Sequence, residues 1–277
     1  MFKLFRRKKN PLPLSFDYPV IRVDYRQFLS LPLAPKEPTI YSIAWNGAIY
    51  DILASRISRN RDAVILGSGD FDRAKIKSAP YFARHSWARD LNVNALWYFD
   101  PDCREGPATL SWCYGTNADW RLKNIASLLD IFFDRWEIQR KLFFGSSGGG
   151  FTSIALACLA RSRAFAINPQ LICLNFWPGI VGRFRKARLA EGEEPITERL
   201  EIAKLIEAEN YCPRTTIWQN IKASRDMETQ IIPFLERLQT LGLADVPIKI
   251  QFFAHPAGHK HMPSREECLE SIRRELE

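Results

Sequence analysis

The chain has 277 residues, of which 46% are hydrophobic and 25% charged, and its formal net charge at pH 7 is +8. This composition is typical of a globular domain and excludes a collagen-like or largely disordered chain. Five of the eight net positive charges lie in residues 1–10, so residues 11–277 carry a net charge of only +3. Nucleic-acid-binding proteins usually carry a basic patch on the folded surface, and we therefore expect no nucleic-acid partner.

The first ten residues, MFKLFRRKKN, combine their basic charge with Phe2, Leu4 and Phe5. One interpretation is weak contact with an anionic membrane surface, and the other is a disordered leader. Prolines follow in place of the apolar stretch of a secretory signal, and no apolar run reaches the roughly 18 residues of a membrane-spanning helix. We therefore expect a cytoplasmic protein. The six cysteines form no CxxC pair, which predicts free, mostly buried thiols and no metal site.

Short β-rich runs alternate with amphipathic runs along most of the chain. Residues 1–38 are predicted to form a basic, proline-containing arm over the surface, and residues 39–277 a folded domain. The predicted strands are residues 39–43, 63–67, 95–99, 141–144, 164–168, 215–219 and 248–253. The predicted helices are residues 122–136, 149–160, 229–241 and 265–276. This alternation predicts an α/β fold with a mostly parallel central sheet and helices on both faces.

One long insertion interrupts the alternation. Residues 171–211 separate two predicted strands, although such connections usually have about two to six residues. The insertion contains the basic run GRFRKAR, the acidic run EGEEP and an amphipathic helical run. We interpret it as a small helical cap over the carboxyl ends of the strands, where parallel sheets bind ligands. The alternative is a helical excursion packed on the side of the sheet.

The sequence KLFFGSSGGGFTSIALACLA contains the pattern Gly-x-Ser-x-Gly, centred on Ser147, between a predicted strand and a predicted helix. In this setting the pattern is typical of a nucleophile elbow. The glycines allow a sharp turn, and the helix N-terminus supplies free N–H groups beside the serine oxygen. The pattern lacks the lysine of a P-loop and the spacing of a dinucleotide-binding turn. A glycine-rich turn that only packs the helix against the sheet is the alternative.

A serine nucleophile needs a base and an acid that orients the base. Three of the four histidines lie in AHPAGHKHMP, directly after the last predicted strand. Asp226 is the only aspartate in NIKASRDMETQ, which follows the preceding strand, and Glu228 is its rival. The order serine, acid, histidine, each after a separate strand, is the order found in hydrolases with this type of sheet.

The strings GSSGGG and HPAGH, together with Asp226, resemble those of the α/β-hydrolase superfamily from about residue 39 to the C-terminus. More narrowly, ALWYFDP, SWCYGT, GSSGGGF, INPQ and GHKHMP are similar to strings in bacterial serine-hydrolase-like proteins linked to surface-glycan and accessory-secretion systems. The resemblance implies an ester hydrolase or acyltransferase with a Ser-His-Asp triad, a small-molecule or glycan ester as substrate, and no cofactor. The alternative is a non-catalytic scaffold in a glycan-assembly or secretion complex.

The resemblance also implies roles for individual residues. Ser147 is the expected nucleophile and Asp226 the orienting acid, while His259 is the expected base because it follows Gly258. His255 and His261 remain the other candidates for the base.

The same resemblance predicts the oxyanion hole. It combines the N–H of Gly148 with an N–H of the LGSG loop, which stands where the superfamily often has a His-Gly pair. We expect Ser68 to supply this second N–H, with Gly69 as the alternative. Five side chains near strand ends could bind substrate: Trp112, Tyr114, Asn168, His255 and His261. The alternatives are that the aromatic residues pack in the core and that Asn168 lies in a plain turn.

Overall fold

A computed structural model describes residues 18–57, 60–74, 76, 79–104, 108–243 and 246–277. The predicted membrane-contact segment, residues 1–10, lies outside the described residues. The strands are β1 (Val20–Asp24), β2 (Thr39–Trp45), β3 (Ala48–Ser55), β4 (Asp62–Gly67), β5 (Asn94–Tyr98), β6 (Arg140–Ser146), β7 (Arg163–Ile167), β8 (Arg214–Asn220) and β9 (Ile248–Phe253). They form one sheet in the order β1-β2-β3-β5-β4-β6-β7-β8-β9. Strand β3 is antiparallel to both neighbours, and all other neighbouring pairs are parallel.

Helices cover both faces of this sheet, as predicted. They are α1 (Tyr25–Ser30), α2 (Ala88–Leu91), α3 (Arg121–Arg135), α4 (Gly148–Leu159), α5 (Pro178–Arg188), α6 (Ile202–Glu209), α7 (Ser224–Asp226), α8 (Ile232–Thr240) and α9 (Arg265–Leu276), with a π-helical turn between α7 and α8. One apolar cluster packs α3, α4, α6 and α8 against the sheet, and a second packs α9 against it. The central strands β4 and β6 are buried along most of their length, as expected for parallel strands covered on both sides. None of the described helices is long and apolar enough to cross a membrane.

Two strands differ from the sequence prediction. The prediction of a surface arm is wrong for Val20–Asp24, because these residues form β1 and pair with β2 at the sheet edge. Strand β3 forms a hairpin with β2 through Asn46 and Gly47, whose φ angles are 46° and 71°. An Asn-Gly pair is a strong hairpin signal, so this strand could have been found. All six cysteines are free, and five of them are buried, as predicted.

The insertion of residues 171–211 contains two helices with different surroundings. Helix α6 packs against α4 and α8 on one face of the sheet. Helix α5 begins beside the carboxyl ends of the strands and is tied to the domain at its far end, where Arg188 forms a 2.8 Å ion pair with Asp102. Burial and the neighbouring Asp100 raise the pKa of Asp102 to about 6, against the opposite effect of Arg188 and Arg121.

Candidate active site

Ser147 lies on the sharp turn between β6 and α4. Its φ and ψ angles are 53° and −125°, a conformation that is unfavourable for a residue with a side chain and that is often found at functional sites. Its N–H donates to the carbonyl oxygen of Ile167 on β7 at 3.1 Å. A Cβ on Gly145 would lie 2.2 Å from the carbonyl oxygen of Gly149, and a Cβ on Gly149 would lie 2.7 Å from that of Gly67. The two flanking glycines therefore permit the close approach of β6, α4 and β4.

A continuous hydrogen-bond chain joins Ser147 to two residues that are distant in sequence. The Nε2 atom of His259 lies 2.9 Å from the Oγ of Ser147, and its Nδ1 lies 2.6 Å from Oδ2 of Asp226. Asp226 is buried, whereas its rival Glu228 is exposed. The structure thus brings together the three side chains that the sequence predicted, in the geometry of a nucleophile, a base and an orienting acid.

Two buried asparagines hold the loop that carries His259. Asn168, directly after β7, donates to the carbonyl oxygens of His259 and His261 at 3.2 and 3.0 Å. Asn220, the last residue of β8, donates to two further carbonyl oxygens of the same loop at 2.8 and 2.9 Å. The N–H of Asn220 donates to Oδ1 of Asn168 at 2.8 Å, which links the two asparagines. Asn168 therefore positions the loop, although its candidate role in the sequence was substrate binding.

We predict that Asn220→Ala lowers the free energy of unfolding by about 2 to 3 kcal/mol, because it leaves buried backbone groups without their partners. Urea denaturation measures this change. The matched control is Asn175→Ala, because Asn175 is exposed and its side chain makes a single bond, to the carbonyl oxygen of Thr229. Equal stability losses in the two variants would contradict the positioning role of Asn220.

Gln170 contacts the candidate nucleophile directly. Its Nε2 donates to the Oγ of Ser147 at 3.1 Å, and its backbone N–H donates to the carbonyl oxygen of Ser147 at the same distance. The Oε1 atom of Gln170 accepts a hydrogen bond from Nε1 of Trp112, which fixes the orientation of the amide. The sequence pointed to the segment Asn168-Pro169-Gln170 as one that could face the pocket, but of its residues only Asn168 was predicted to bind substrate. The position of Gln170 in INPQ, directly after a strand that ends beside the serine, was the available signal.

The remaining candidates form no described hydrogen bond to the Ser147 hydroxyl, which contacts Gln170 and His259. Trp112 and Tyr114 are fully buried and contact the ring of Phe184 on α5, so they belong to the core rather than to the wall of a binding site. The rings of His255 and His261 stack on each other, with centroids 3.5 Å apart. None of these four is among the described residues that line the cavity at Ser147, and their contact with substrate stays a prediction.

A cavity of about 490 Å³ opens onto Ser147 and His259. Phe176, Trp177 and Ile180, at the start of α5, form an apolar part of its wall. The other lining residues come from the segments around β4, β6, β7 and the histidine loop: Gly69, Asp70, Tyr81, Ala83, Arg84, Ser146, Ile167, Asn168, Lys260 and Met262. The beginning of the predicted cap thus contributes to the cavity, while α6 packs on the side of the sheet. Both interpretations of the insertion therefore describe a part of it.

The candidate oxyanion donors are backbone groups next to the serine. A Cβ on Gly69 would lie 3.7 Å from the nitrogen of Gly148, so the two segments are close together. Gly69 lines the cavity. The Ser68 hydroxyl accepts the N–H of Ala83 at 3.1 Å and donates to the carbonyl oxygen of Tyr81 at 3.2 Å. The described cavity lining thus includes Gly69 but not the predicted Ser68, which favours Gly69 as the candidate donor.

In the part of the chain that the structure describes, no group of three or more His, Cys, Asp or Glu side chains is arranged to hold a metal ion. No protein-family model and no curated protein sequence matches the chain.

Solved structures do resemble it. A variant of the capsule O-acetyltransferase of Neisseria meningitidis serogroup A in complex with CoA matches with a TM-score of 0.59 at 13% identity, over 83% of this chain and 95% of that chain. Carboxyl esterase 2 of Tuber melanosporum matches with a TM-score of 0.58 at 13% identity, over 90% and 89%. An S-formylglutathione hydrolase from Agrobacterium tumefaciens matches with a TM-score of 0.53 at 16% identity, over 83% and 89%. The chain has the α/β-hydrolase fold, and the sequence prediction of this fold is confirmed.

Proposed function

We propose that the protein is a serine ester hydrolase or acyltransferase in which Ser147 is the nucleophile, His259 the base and Asp226 the orienting acid. The observation that carries this proposal is the hydrogen-bond chain from Asp226 through His259 to Ser147, with distances of 2.6 and 2.9 Å, at a strained strand–helix turn. The α/β-hydrolase fold supports it, because structures of this fold include esterases and an O-acetyltransferase.

The proposed reaction follows from the order of these atoms. Nε2 of His259 takes the proton of the Ser147 hydroxyl while Oγ attacks the acyl carbonyl carbon, and Asp226 stabilises the imidazolium without taking the proton. The N–H groups of Gly148 and Gly69 would bind the oxyanion. The imidazolium then gives its proton to the leaving alcohol, and an acyl-enzyme remains on Oγ. Water or an acceptor hydroxyl, activated by His259, releases the acyl group.

Gln170 has a distinct place in this scheme. Its Nε2 donates to the same oxygen that His259 must deprotonate, so it restricts the Ser147 side chain to one position. The donated hydrogen bond also favours the developing alkoxide over the neutral hydroxyl. We therefore assign Gln170 to the orientation of the nucleophile.

We further propose an acylated carbohydrate as the substrate. Trp177 lines the cavity and is 51% exposed, with the Arg225 guanidinium carbon 4.5 Å from its ring centroid. A half-exposed aromatic ring at a cavity can stack on a sugar ring. The name of the capsule O-acetyltransferase points to the same class of acceptor. Comparing acetate release from acetylated sugars with hydrolysis of simple nitrophenyl esters tests this assignment.

We predict that a fluorophosphonate probe forms a covalent adduct with Ser147, because the probe requires a serine activated by an assembled base. Peptide mapping identifies the labelled residue. Labelling should disappear in Ser147→Ala and persist in the control Ser127→Ala, since Ser127 is exposed on α3. A folded, monodisperse sample that takes up no label would contradict the hydrolase proposal and favour the scaffold alternative.

A further inference from the structure

Arg84 is a cation on the cavity wall, immediately beside the elbow. Its Nη2 donates to the Oγ of Ser146 at 2.7 Å and contacts the sulfur of Met262 at 3.7 Å. Its guanidinium carbon lies 5.5 and 5.3 Å from the ring centroids of Trp87 and Phe144. Among the described residues, no carboxylate forms an ion pair with it. Burial lowers the pKa of the guanidinium, as expected for a cation that is removed from water without a counter-ion.

The position of Arg84 is fixed by the surrounding chain. Its φ angle is 61°, a left-handed conformation that is unfavourable for a residue with a side chain and that needs support from its surroundings. The Ser68 hydroxyl supplies part of this support through its two hydrogen bonds to residues 81 and 83. Both hydrogen bonds of the side chain use Nη2, so Nε and Nη1 have no partner in the described part of the chain. A held guanidinium with free donors on a cavity wall is suited to bind an anion.

The other charged side chains of the cavity strengthen this interpretation. Lys260, next to His259 in sequence, also lines the cavity and adds a second positive charge. Among the described lining residues Asp70 is the one acid, and it is exposed. Because water screens an exposed charge far more than a buried one, Asp70 offsets little of the positive charge of Arg84.

We propose that Arg84, assisted by Lys260, binds an anionic group of the substrate, a carboxylate or a phosphate, next to the ester that Ser147 attacks. The proposal rests on the proposed function, because the anionic group would occupy the same cavity as the reacting ester. It adds a requirement to that function: the preferred ester carries a negative charge. A planar guanidinium with two free nitrogens matches the paired oxygens of a carboxylate or a phosphate.

Two matched pairs of esters test this specificity. The first pair is mono-p-nitrophenyl glutarate and p-nitrophenyl pentanoate, which differ by a carboxylate on the acyl side. The second pair is acetylglycerol phosphate and acetylglycerol, which differ by a phosphate on the alcohol side. We expect kcat/KM of the wild-type protein to favour the charged member of one pair by about 10-fold to 100-fold, since hydrogen bonds to charged groups have effects of this size. The pair that shows the preference identifies the source of the anion.

The variants separate binding from a structural role. Arg84→Gln should remove most of this preference through KM for the charged ester, and Arg84→Lys should restore part of it. Lys260→Gln should have a smaller effect because Lys260 is exposed. Arg274→Gln is the control, since Arg274 is exposed on α9 and pairs with Glu270. A wild-type protein without a preference in either pair would overturn the proposal. So would equal losses for charged and neutral esters in Arg84→Gln, which would indicate that Arg84 only supports the elbow.

A binding measurement keeps this proposal distinct from the hydrolase proposal. Calorimetric titration of the Ser147→Ala variant with acetylglycerol phosphate and with glutarate monomethyl ester requires no turnover. We expect at least one of these anions to bind, and binding to weaken by about tenfold or more when Arg84→Gln is added. Binding that depends on Arg84, together with a wild-type protein that hydrolyses none of the test esters, would refute the hydrolase proposal alone. Esterase activity without binding of either anion would refute the anion site alone.

Discussion

Replacing His259 with alanine is expected to lower kcat/KM for p-nitrophenyl acetate by about 10⁴-fold to 10⁶-fold, since removal of the base from such a triad has effects of this size. The physical reason is the geometry: Nε2 of His259 is 2.9 Å from the Oγ of Ser147. Without it, the hydroxyl proton has no acceptor in the attack step. Steady-state kinetics measure the effect, and a residual rate due to the oxyanion donors should remain.

The chain provides a matched control for this prediction. His255 lies in the same loop, but its ring stacks on His261, and His255 is not among the described residues that line the cavity at Ser147. The loss of kcat/KM in His255→Ala should therefore be at least a hundredfold smaller than the loss in His259→Ala. The double variant Ser147→Ala with His259→Ala should be no slower than either single variant, because residues that act as a unit have non-additive effects. Equal losses at His255 and His259, or additive losses at Ser147 and His259, would contradict the assignment.

The elements that the sequence predicted well are those whose pattern is local. Strand β9 and helix α9 have the predicted boundaries, and the elbow pattern predicted the turn at Ser147. Five residues are enough to encode the elbow, because a Cβ on either flanking glycine would clash with backbone atoms. Strand β1 was missed for the opposite reason. It has five residues, half-buried or exposed, and its pairing partner decides its structure more than its own apolar pattern does.

The order of residues in the sequence limited the candidates for the base to three histidines but could not decide among them. All three loop histidines follow β9, and only the folded loop shows that the ring of His259 contacts both Ser147 and Asp226. Asp226 and Glu228 are two residues apart on one helical segment, so they point in different directions from it. Only the packed structure could therefore show that Asp226 is buried and Glu228 is exposed.

The role of Arg84 could not be predicted from the sequence. Arg84 lies 62 residues before Ser146 in sequence, within a segment without regular periodicity, and the two residues meet only because β4 and β6 are neighbours in the sheet. Its missing counter-ion is a property of the whole cavity wall rather than of a motif. Gln170, which follows a strand end directly, could have been selected by the same rule that selected the acid and the histidine.

We also predict that Gly145→Ala lowers the free energy of unfolding by about 3 kcal/mol or more, because overpacking against backbone in a close-packed site is strongly destabilising. The new Cβ would lie 2.2 Å from the carbonyl oxygen of Gly149 and 2.8 Å from the Oγ of Ser153. One of these groups is backbone, so β6 and α4 would have to separate at the elbow. Urea denaturation measures the stability, and fluorophosphonate labelling of the folded fraction reports whether Ser147 is still presented.

The control for this prediction is a glycine of the same chain in open space. A Cβ on Gly182, in the middle of α5, would meet no atom within 4 Å. Gly182→Ala should therefore raise the free energy of unfolding by about 0.5 to 1 kcal/mol, the usual advantage of alanine over glycine in a helix. Opposite signs for the two substitutions would show that the glycine of the elbow is required by contact rather than by flexibility. A Gly145→Ala variant as stable as the wild-type protein would mean that β6 and α4 do not approach as closely as the elbow geometry demands, and the alignment of Ser147 with His259 would then lose its steric basis.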